Sequence, residues 1–388
     1  MKVLILSCNM GEGHNAAGKA VYEKFLKMGV ECEFADTLAI AGMKVSRTVN
    51  KTYVGITTSS PAVFGAIYSI GRAVSNLGNK TGCKSPVYAA NVLYRKKLAT
   101  YIKKGKYDVI VMPHLFPAEC LTSLHYRKML DTPFINIATD YTCIPFWEET
   151  LPNYFVIPHK DLAEDFYSKK IPQEILLPFG IPVRDCFSEK NDKSAARREL
   201  GLKADEPVLL LMSGSMGFGK PEDLAASLYK KFGRGTQIVI LCGRNEKLRG
   251  HMAEVFKDNP DIILQPFTDK VSLFMDAADI VFTKPGGLTS TEAAVKNVPL
   301  VHTAPIPGCE SINIKFFTER GMSVSCGDTH DNDALADAAY KLYCDKDTQK
   351  RMLAAQRANI NPHAAEDICN FIIEHYSDST QISQQTSM

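Results

Sequence analysis

The sequence has no Asp or Glu between Thr37 and Tyr107, although the whole chain is nearly balanced, with 45 Lys and Arg against 43 Asp and Glu. The twelve cations of this acid-free stretch are Lys44, Arg47, Lys51, Arg72, Lys80, Lys84, Arg95, Lys96, Lys97, Lys103, Lys104 and Lys106. Apolar and aromatic residues such as Phe64 and Ile67 lie between them. This mixture is typical of a surface that docks on anionic lipid. A solvated charged face is the ordinary alternative, and nucleic acid is a further one, although no known nucleic-acid-binding module is recognisable.

Other absences restrict the class of protein. No apolar run approaches the roughly 20 residues that a membrane-spanning helix needs, and the N-terminal residues MKVLILS are typical of a first strand rather than a signal peptide. No two cysteines form a C-x-x-C motif, and their count of 11 is odd, which favours reduced thiols. With 388 residues, 45% of them hydrophobic, the chain predicts two or three folded domains in the cytoplasm or on the cytoplasmic face of the cell membrane.

Short apolar runs recur along the chain and end in turns rich in glycine or proline. They are Val3–Ser7, Val30–Phe34, Asp108–Met112, Phe134–Ala138, Tyr154–Ile157, Val208–Met212, Gln237–Leu241, Asp279–Phe282 and Val298–His302. Such runs predict parallel strands buried on both faces. We therefore predict an α/β fold of two Rossmann-like, doubly wound domains facing a central cleft. The predicted domains are 1–183 and 184–361, with a C-terminal helix at about 362–376 packing back on the first, and a disordered tail at 377–388.

The turn after the first strand, residues 11–16 (GEGHNA), matches the pattern G-x-G-x-x-A. In dinucleotide-binding proteins this pattern is followed by an acidic residue, here Glu33 or Asp36, that contacts the ribose. A tight turn without a ligand has the same pattern. His14 lies at the predicted helix N-terminus, where the helix dipole disfavours an imidazolium and the ring is expected to stay neutral. A neutral histidine beside glycines suits a general base, and a capping or surface histidine is the alternative.

Residues 284–293 (KPGGLTSTEA) open a later helix with two glycines and three hydroxyl groups. The free N–H groups and dipole of such a helix N-terminus bind a diphosphate, and Glu292 is spaced to accept both hydroxyls of a ribose. A capping box is the alternative, in which Thr289 caps the helix and Glu292 satisfies only the backbone. Residues 213–219 (SGSMGFG) form a second glycine-rich strand exit, which lacks the Lys-Ser/Thr ending of a P-loop.

No His/Cys cluster has zinc spacing, and no metal is expected. Residues 331–333 (DND) precede a helix, where Asp331 is an ordinary N-cap. Asp140 follows a predicted strand and is succeeded by Tyr141 and by Trp147, the only tryptophan. A carboxylate beside aromatic rings suits a base or a group that orients a sugar, and a turn-forming Asp is the alternative.

These segments together resemble the lipid glycosyltransferases that put a sugar on diacylglycerol. This family includes the monogalactosyldiacylglycerol synthases of plastids and the diacylglycerol glucosyltransferases of bacteria, and the resemblance covers about residues 1–375. It implies the GT-B fold, shared with the family 28 peptidoglycan transferase that glycosylates lipid I. Residues 11–17 resemble the family's glycine–histidine loop, and residues 139–141 with Trp147 resemble its acceptor-side block. Residues 180–184 (GIPVR) resemble its interdomain segment, and residues 284–293 resemble its donor block.

The resemblance implies an inverting, metal-independent transfer of glucose or galactose from a UDP-sugar to diacylglycerol, giving a β-glycolipid. It implies His14 as the catalytic base, with Asp140 as the second candidate, and His114, Tyr141 and Trp147 as acceptor contacts. The implied nucleotide-sugar contacts are Gly13, Arg184, Ser213, Gly214, Ser215, Met216, Gly243, Arg244, Asn245, Phe267, Lys284, Pro285, Gly286, Gly287, Thr289, Ser290, Thr291, Glu292, Glu310 and Asn313. The implied partners are diacylglycerol and an anionic membrane bound through residues 43–106, with no nucleic acid and no protein partner.

One segment departs from the family pattern. The family usually has Pro-Gly-Gln-Glu, whereas residues 307–310 are PGCE, so Cys309 replaces a Gln that commonly touches the donor sugar. The choice between glucose and galactose therefore stays open. Two other classes stay open as well, namely an NAD(P)-dependent oxidoreductase that uses residues 11–16 with Asp36, and a catalytically silent UDP-sugar sensor at the membrane. Lipid I is a further candidate acceptor.

Overall fold

The computed structural model describes residues 1–9, 11–43, 46–47, 55, 61–212, 220–327 and 330–377. The chain divides into two compact units. The first is drawn from residues 1–56, 62–185 and 361–388, and the second from residues 57–61 and 186–360. The main division therefore falls two residues after the predicted one at 183, and the C-terminal helix belongs to the first unit. The predicted disordered tail lies outside the described residues, except for Ser377.

Each unit contains a six-stranded parallel sheet. The strands of the first unit are β1 (Lys2–Ser7), β2 (Glu31–Asp36), β3 (Val109–Met112), β4 (Phe134–Ile137), β5 (Tyr154–Val156) and β6 (Leu176–Leu177), in the order β2-β1-β3-β4-β5-β6. Those of the second are β7 (Val208–Met212), β8 (Gln237–Leu241), β9 (Ile262–Gln265), β10 (Ile280–Thr283), β11 (Leu300–His302) and β12 (Val324–Ser325), in the order β12-β11-β10-β7-β8-β9.

Helices connect the strands, as parallel pairing requires a crossover between them. The α-helices are α1 (Glu12–Lys27), α2 (Thr37–Ala41), α3 (Pro61–Thr81), α4 (Pro86–Asn91), α5 (Arg95–Gly105), α6 (Leu115–Tyr126), α7 (Ala163–Tyr167), α8 (Asp185–Ser188), α9 (Lys193–Glu199), α10 (Pro221–Phe232), α11 (Glu246–Val255), α12 (Val271–Ala277), α13 (Gly287–Lys296), α14 (Cys309–Glu319), α15 (Asn332–Cys344), α16 (Lys346–Asn359) and α17 (Ala364–Tyr376).

The two faces of the first sheet pack against different helices because side chains alternate along a strand. Val3 and Ile5 of β1 lie in one cluster with α1 and α17, whereas Leu4 and Leu6 lie in another with α5 and α6. The docking of α17 through Ile368 explains why a helix from the end of the chain belongs to the first unit.

The fold class predicted from the sequence, with two Rossmann-like parallel-sheet domains, is confirmed. Every apolar run identified in the sequence overlaps a strand. The strands that the sequence did not reveal are β6, β9 and β12, and all of them lie at sheet edges. Edge strands are short and only half covered, so they lack the continuous apolar run that marks a buried parallel strand.

Candidate functional site

Each sheet has a switch point, where the chain stops adding strands on one side and begins on the other. In the first sheet this point lies between β1 and β3, and in the second between β7 and β10. Ligands of open α/β sheets bind at the carboxyl ends of strands beside such a point. The segments that come directly after these four strands therefore define two candidate sites, one in each unit.

The first site holds His14 in a defined tautomer. His14 is the third residue of α1, and its Nδ1 atom lies 2.9 Å from the carbonyl oxygen of Pro113, which follows β3. Because a carbonyl only accepts hydrogen bonds, Nδ1 carries the proton and donates it. The Thr139 hydroxyl, 2.8 Å from the same nitrogen, accepts as a second partner. In the neutral ring Nε2 is therefore the unprotonated nitrogen, as a general base requires.

A second histidine and a carboxylate surround this ring. The centroids of the His14 and His114 rings are 4.7 Å apart in an edge-to-face arrangement. His114 Nδ1 accepts the backbone N–H of Phe116 at 3.1 Å, so it caps α6. Burial lowers the pKa of His14, while the charge of Asp140 and the Pro113 carbonyl oppose that shift. Burial, with the charge of His14, lowers the pKa of His114 further.

The prediction of a neutral His14 is thus confirmed in direction, but its cause differs from the one expected. The helix dipole was expected to disfavour the charged ring, whereas burial is the largest cause in the structure. Burial acts in the same direction because a low-dielectric surrounding penalises the imidazolium.

The two aromatic residues predicted to contact the acceptor are core residues in this structure. Trp147 is 2% exposed and packs edge-to-face on Phe155, with ring centroids 5.0 Å apart. Tyr141 is 1% exposed. Neither ring presents a surface to a ligand here, so the structure gives Trp147 a packing function instead.

Arg184, which was predicted to meet the nucleotide, lies in the first unit. Its Nε atom donates to Glu23 Oε2 of α1 at 2.9 Å, and both side chains are 39% exposed. Gly13, another predicted contact, is the second residue of α1 and is partly exposed.

The second site is the N-terminus of α13. Gly286 is the N-cap, with an extended backbone and no capping side chain, and Thr289 is the third helical residue. The capping-box alternative is therefore wrong, because Thr289 lies too far inside the helix to cap it. Helix geometry leaves the first-turn N–H groups without carbonyl partners in the helix, which is the condition for anion binding. Glu292 lies one turn further along and is largely buried.

The other hydroxyl groups of this segment hold the helix in place. Ser290 is fully buried, and its Oγ atom lies 2.9 Å from Nε2 of His302, the last residue of β11. The other ring nitrogen of His302 lies 3.0 Å from Ser323 Oγ, and burial lowers the pKa of this histidine to about 3. Thr291 Oγ1 donates to the Gly287 carbonyl at 2.7 Å.

The turn before α13 is braced from α14. Lys284 forms an ion pair with Glu310, whose second oxygen accepts the Ile306 N–H at 2.8 Å. Asn313, fully buried, donates to the Pro285 carbonyl at 2.9 Å. A Cβ atom at Gly286 would lie 3.6 Å from the Lys284 ammonium nitrogen, so the glycine backbone and this ion pair are close together. Lys284 also lines a cavity of about 70 Å³, together with Lys220.

The remaining predicted contacts of the second unit come after β7, β8 and β9. Ser213, Gly214, Ser215 and Met216 lie outside the described residues. After β8, Gly243 has a left-handed backbone (φ 59°), and Asn245 caps α11 through the Leu248 N–H at 3.0 Å. The Arg244 guanidinium lies 4.5 Å from the centroid of the Phe267 ring, a ring that is half exposed.

Asp331 caps α15, since its carboxylate accepts the Ala334 N–H at 2.9 Å, as the sequence indicated. Within the part of the chain that the structure describes, no three His, Cys, Asp or Glu side chains are grouped as metal ligands would be.

Sequence reasoning missed the two groups that fix the His14 tautomer. The Pro113 carbonyl has no side-chain signal, and Thr139 was noticed only as part of a block with Asp140. The available signal was their position, because Pro113 follows β3 at the switch point and Thr139 follows the adjacent strand β4.

Comparison with known proteins matches both halves of the chain. The family model of monogalactosyldiacylglycerol (MGDG) synthase matches residues 14–183, and that of the glycosyltransferase family 28 C-terminal domain matches residues 208–368. Among solved structures, MurG of Acinetobacter baumannii has a TM-score of 0.60 at 14% identity, over 96% of this chain and all of that one. MnaA of S. aureus, solved with UDP, has a TM-score of 0.62 at 15% identity, over 96% of each chain. These likenesses show the fold.

Several curated relatives share one name, and this chain matches most of their length. A processive diacylglycerol beta-glucosyltransferase of Staphylococcus epidermidis is 27% identical over 74% of this chain and 72% of the relative. One from Bacillus subtilis is 26% identical over 90% of this chain and 89% of the relative. The first half of the chain is therefore similar to MGDG synthases, and the second half is similar to the C-terminal domain of glycosyltransferase family 28.

Proposed function

We propose that this protein transfers a hexose from a UDP-hexose to the free hydroxyl of diacylglycerol, with inversion at the anomeric carbon, and so makes a β-glycosyl diacylglycerol. The observation that carries the proposal is His14, a neutral ring held with Nδ1 protonated at the switch point of the first sheet. The relatives named as diacylglycerol beta-glucosyltransferases support the choice of acceptor and favour glucose as the sugar.

His14 acts as the base. Nε2 takes the proton of the acceptor hydroxyl while the oxygen forms its bond to the anomeric carbon. The bond from that carbon to the β-phosphate oxygen breaks on the opposite face, and UDP leaves with the electron pair. The nearby Asp140 carboxylate stabilises the imidazolium that forms, and the Pro113 carbonyl holds the ring orientation.

The N-terminus of α13 binds the diphosphate. Its first-turn N–H groups and dipole stabilise the charge that develops on departing UDP, as a metal ion does in other transferases. Glu292 accepts the ribose hydroxyls, and the exposed Phe267 ring with Arg244 contributes a flat surface for the nucleotide base. Glu310 and Asn313 support the turn 284–286 that presents these groups. The reaction needs no metal in this proposal.

We also propose that the acid-free segment docks the protein on the cytoplasmic face of an anionic membrane. Along α3, Val63, Ile67, Ile70 and Leu77 recur at helical spacing, and each is at least 50% exposed. Among the described helices, none is both long and apolar enough to cross a membrane. An exposed apolar stripe within a segment that has cations and no acids matches a surface with negative headgroups and an apolar interior. Part of the predicted segment, between residues 44 and 60, lies outside the described residues.

The reaction is tested with radiolabelled UDP-glucose and UDP-galactose, each supplied separately with diacylglycerol in phosphatidylglycerol vesicles. Labelled glycolipid from UDP-glucose is the expected product, and vesicles without diacylglycerol are the blank. UDP binding without product from either donor would contradict the proposed acceptor and favour a sensor. Lipid I as the only productive acceptor would contradict it as well.

Docking is tested by vesicle co-sedimentation at increasing salt. We expect binding to rise with anionic lipid content and to fall with salt, because exposed charges are screened over roughly 8–10 Å at physiological ionic strength. Ile70→Glu should lose binding, whereas Val255→Glu, at an exposed apolar residue of the second unit, should keep it. Equal binding and activity on neutral and anionic vesicles would contradict the docking proposal.

A further inference from the structure

Three buried polar residues are among the contacts that attach residues 62–94 to the rest of the first unit. Ser75 in α3, Ser85 before α4 and Asn91 at the end of α4 are only 3–5% exposed, although most of their neighbours are exposed. We call these three residues the anchors. Because the segment contains no Asp or Glu, any carboxylate that binds an anchor must come from another part of the chain.

The partners of all three anchors are carboxyl groups. Glu149 accepts both the N–H of Ser85 at 2.5 Å and its hydroxyl at 2.7 Å. Glu148 accepts the hydroxyl of Ser75, and Glu119 of α6 accepts the side-chain N–H of Asn91 at 2.6 Å.

These carboxyl groups lie on the same two segments that hold the catalytic base. One segment begins at Thr139, which contacts Nδ1 of His14, continues through Asp140, and ends with Glu148 and Glu149. The other begins with the Pro113 carbonyl, which accepts the His14 proton, and continues as α6 to Glu119.

The first of these segments also contacts α3 through a ring. A Cβ atom at Gly71 would lie 3.5 Å from the ring of Phe146, so the helix backbone packs closely on it. This ring lies between Thr139 and Glu148 in sequence, so the segment contacts α3 at more than one point. A small displacement of α3 would therefore move the segment whose first residue, Thr139, contacts His14.

We propose that Glu149 and Glu148 are positioning residues that link the lipid-docking segment to His14, so that contact with a membrane changes the rate of proton transfer as well as bringing the protein to its acceptor. This inference rests on the proposed function and names a regulation of the same site. These two carboxylates touch no substrate in it; they act on His14 through Thr139.

Replacing a glutamate by glutamine should have different effects at Glu149 and at Glu119, because the two carboxyl groups differ in their bonds and their protonation. Glu149 uses two oxygens as acceptors, and a Gln has only one, so Glu149→Gln loses a bond to Ser85. Burial, with the charge of Glu149, raises the pKa of Glu119 to about 8, so this acid is mainly protonated at neutral pH. Its amide is a close mimic of that form, and Glu119→Gln should behave like the wild type.

The matched control is a contact to α3 from a third part of the first unit, outside the two segments that hold His14. Lys170, which follows α7, donates to the Asn79 carbonyl of α3. It belongs to neither segment that holds His14, so Lys170→Gln removes a contact to the docking segment without breaking the proposed link.

The experiment compares full-length wild type, Glu149→Gln, Ser75→Ala, Glu119→Gln and Lys170→Gln on vesicles that contain diacylglycerol. For Glu149→Gln and Ser75→Ala we expect kcat to fall roughly tenfold, because a misplaced catalytic group loses rate steeply. The KM for UDP-glucose and vesicle binding should change less than about twofold, since donor and docking groups are intact. The acidic limb of the kcat profile should move toward the ordinary histidine pKa as the His14 ring becomes less enclosed.

The pH limb separates positioning from a structural effect. Among the residues that the structure describes, the charged or titratable groups that face His14 are Asp140 and His114, so a shift caused by Glu149→Gln must act through position. A lower thermal midpoint with an unchanged acidic limb and unchanged kcat would overturn the proposal. The same loss of kcat in Lys170→Gln would also overturn it.

An NMR titration of His14, assigned with His14→Gln, gives a readout that needs no turnover. We expect anionic vesicles to shift the His14 resonances in the wild type and in Glu119→Gln, and to shift them less than half as far in Glu149→Gln. If the wild type shows this shift but transfers no sugar, the proposed function fails and the link stands. If the wild type transfers sugar and vesicles leave its His14 resonances unchanged, the proposed link is wrong and the proposed function stands.

Discussion

Both candidate sites lie at a helix N-terminus, but the groups that define the first are ionisable side chains, whereas those that define the second are backbone N–H groups. His14 and His114 follow β1 and β3, and Asp140 follows the adjacent strand β4. Beside β10 lie Gly286 and Gly287 at the start of α13. Both positions are carboxyl ends of parallel strands in sheets of six, so topology selects where chemistry occurs but not which chemistry occurs.

The difference lies in how each site is made rigid. In the first unit a main-chain carbonyl and a hydroxyl fix one ring nitrogen. In the second unit buried side chains such as Ser290 and Asn313 fix the backbone, and in the proposed function this backbone binds the diphosphate. The activity of a site made of side chains should therefore be lost when one side chain is removed. Binding at a site made of backbone should instead be lost when another group occupies its N–H groups.

The largest effect should come from His14→Ala. Removing the base should lower kcat by about 10²–10⁴-fold, the usual contribution of general-base catalysis, with little change in UDP affinity. The control is His375→Ala, an exposed histidine of the same unit. A near wild-type kcat in His14→Ala would contradict the assignment of His14 as the base.

Gly286→Asp should produce the next largest effect, in the second site. An N-cap carboxylate satisfies the first-turn N–H groups of α13 and adds a negative charge where the diphosphate binds. We expect UDP affinity, measured by calorimetry, to fall at least about tenfold, whereas the free energy of unfolding should change by only a few tenths of a kcal/mol.

Gly250→Asp, inside the exposed surface of α11, is the charge-matched control and should leave UDP affinity unchanged. Unaltered UDP binding in Gly286→Asp would show that the diphosphate lies elsewhere.

Asp140→Asn should alter the pH profile as well as the rate. The Asp140 carboxylate raises the pKa of His14 against the effect of burial, so its removal lowers that pKa further. Since the base acts when neutral, the acidic limb of kcat should move to lower pH, and kcat should fall about tenfold as the imidazolium loses its partner. A limb that moves to higher pH would contradict this electrostatic account.

Ser290→Ala should have the smallest effect on activity. It leaves a buried nitrogen of His302 without its hydroxyl partner, which costs about 1–3 kcal/mol in the free energy of unfolding. The KM for the UDP-sugar should rise a few fold with kcat unchanged, because the substitution removes only one contact that holds α13 against β11. Urea unfolding and donor-dependence kinetics check the two parts, and Ser377→Ala, near the end of the chain, is the control.

The sequence revealed the strands of both sheets wherever they are buried on both faces, and it located His14 and the α13 turn because both come directly after such strands. It did not reveal β9, because an edge strand is only half covered. Trp147 beside Asp140 was interpreted as an acceptor contact, yet its ring packs on Phe155, since sequence proximity does not tell which way a ring is turned. The Pro113 carbonyl was missed because a main-chain acceptor has no side-chain signature.

The burial of His14 also affects the step after transfer. A ring whose pKa is lowered is a weaker base, but its imidazolium is a correspondingly stronger acid. Each unit by which burial lowers the pKa shifts the equilibrium toward proton release by a factor of ten, about 1.4 kcal/mol. In the proposed mechanism the proton taken from one acceptor is then given up to water, so His14 is reset for the next acceptor without a second residue to collect the proton.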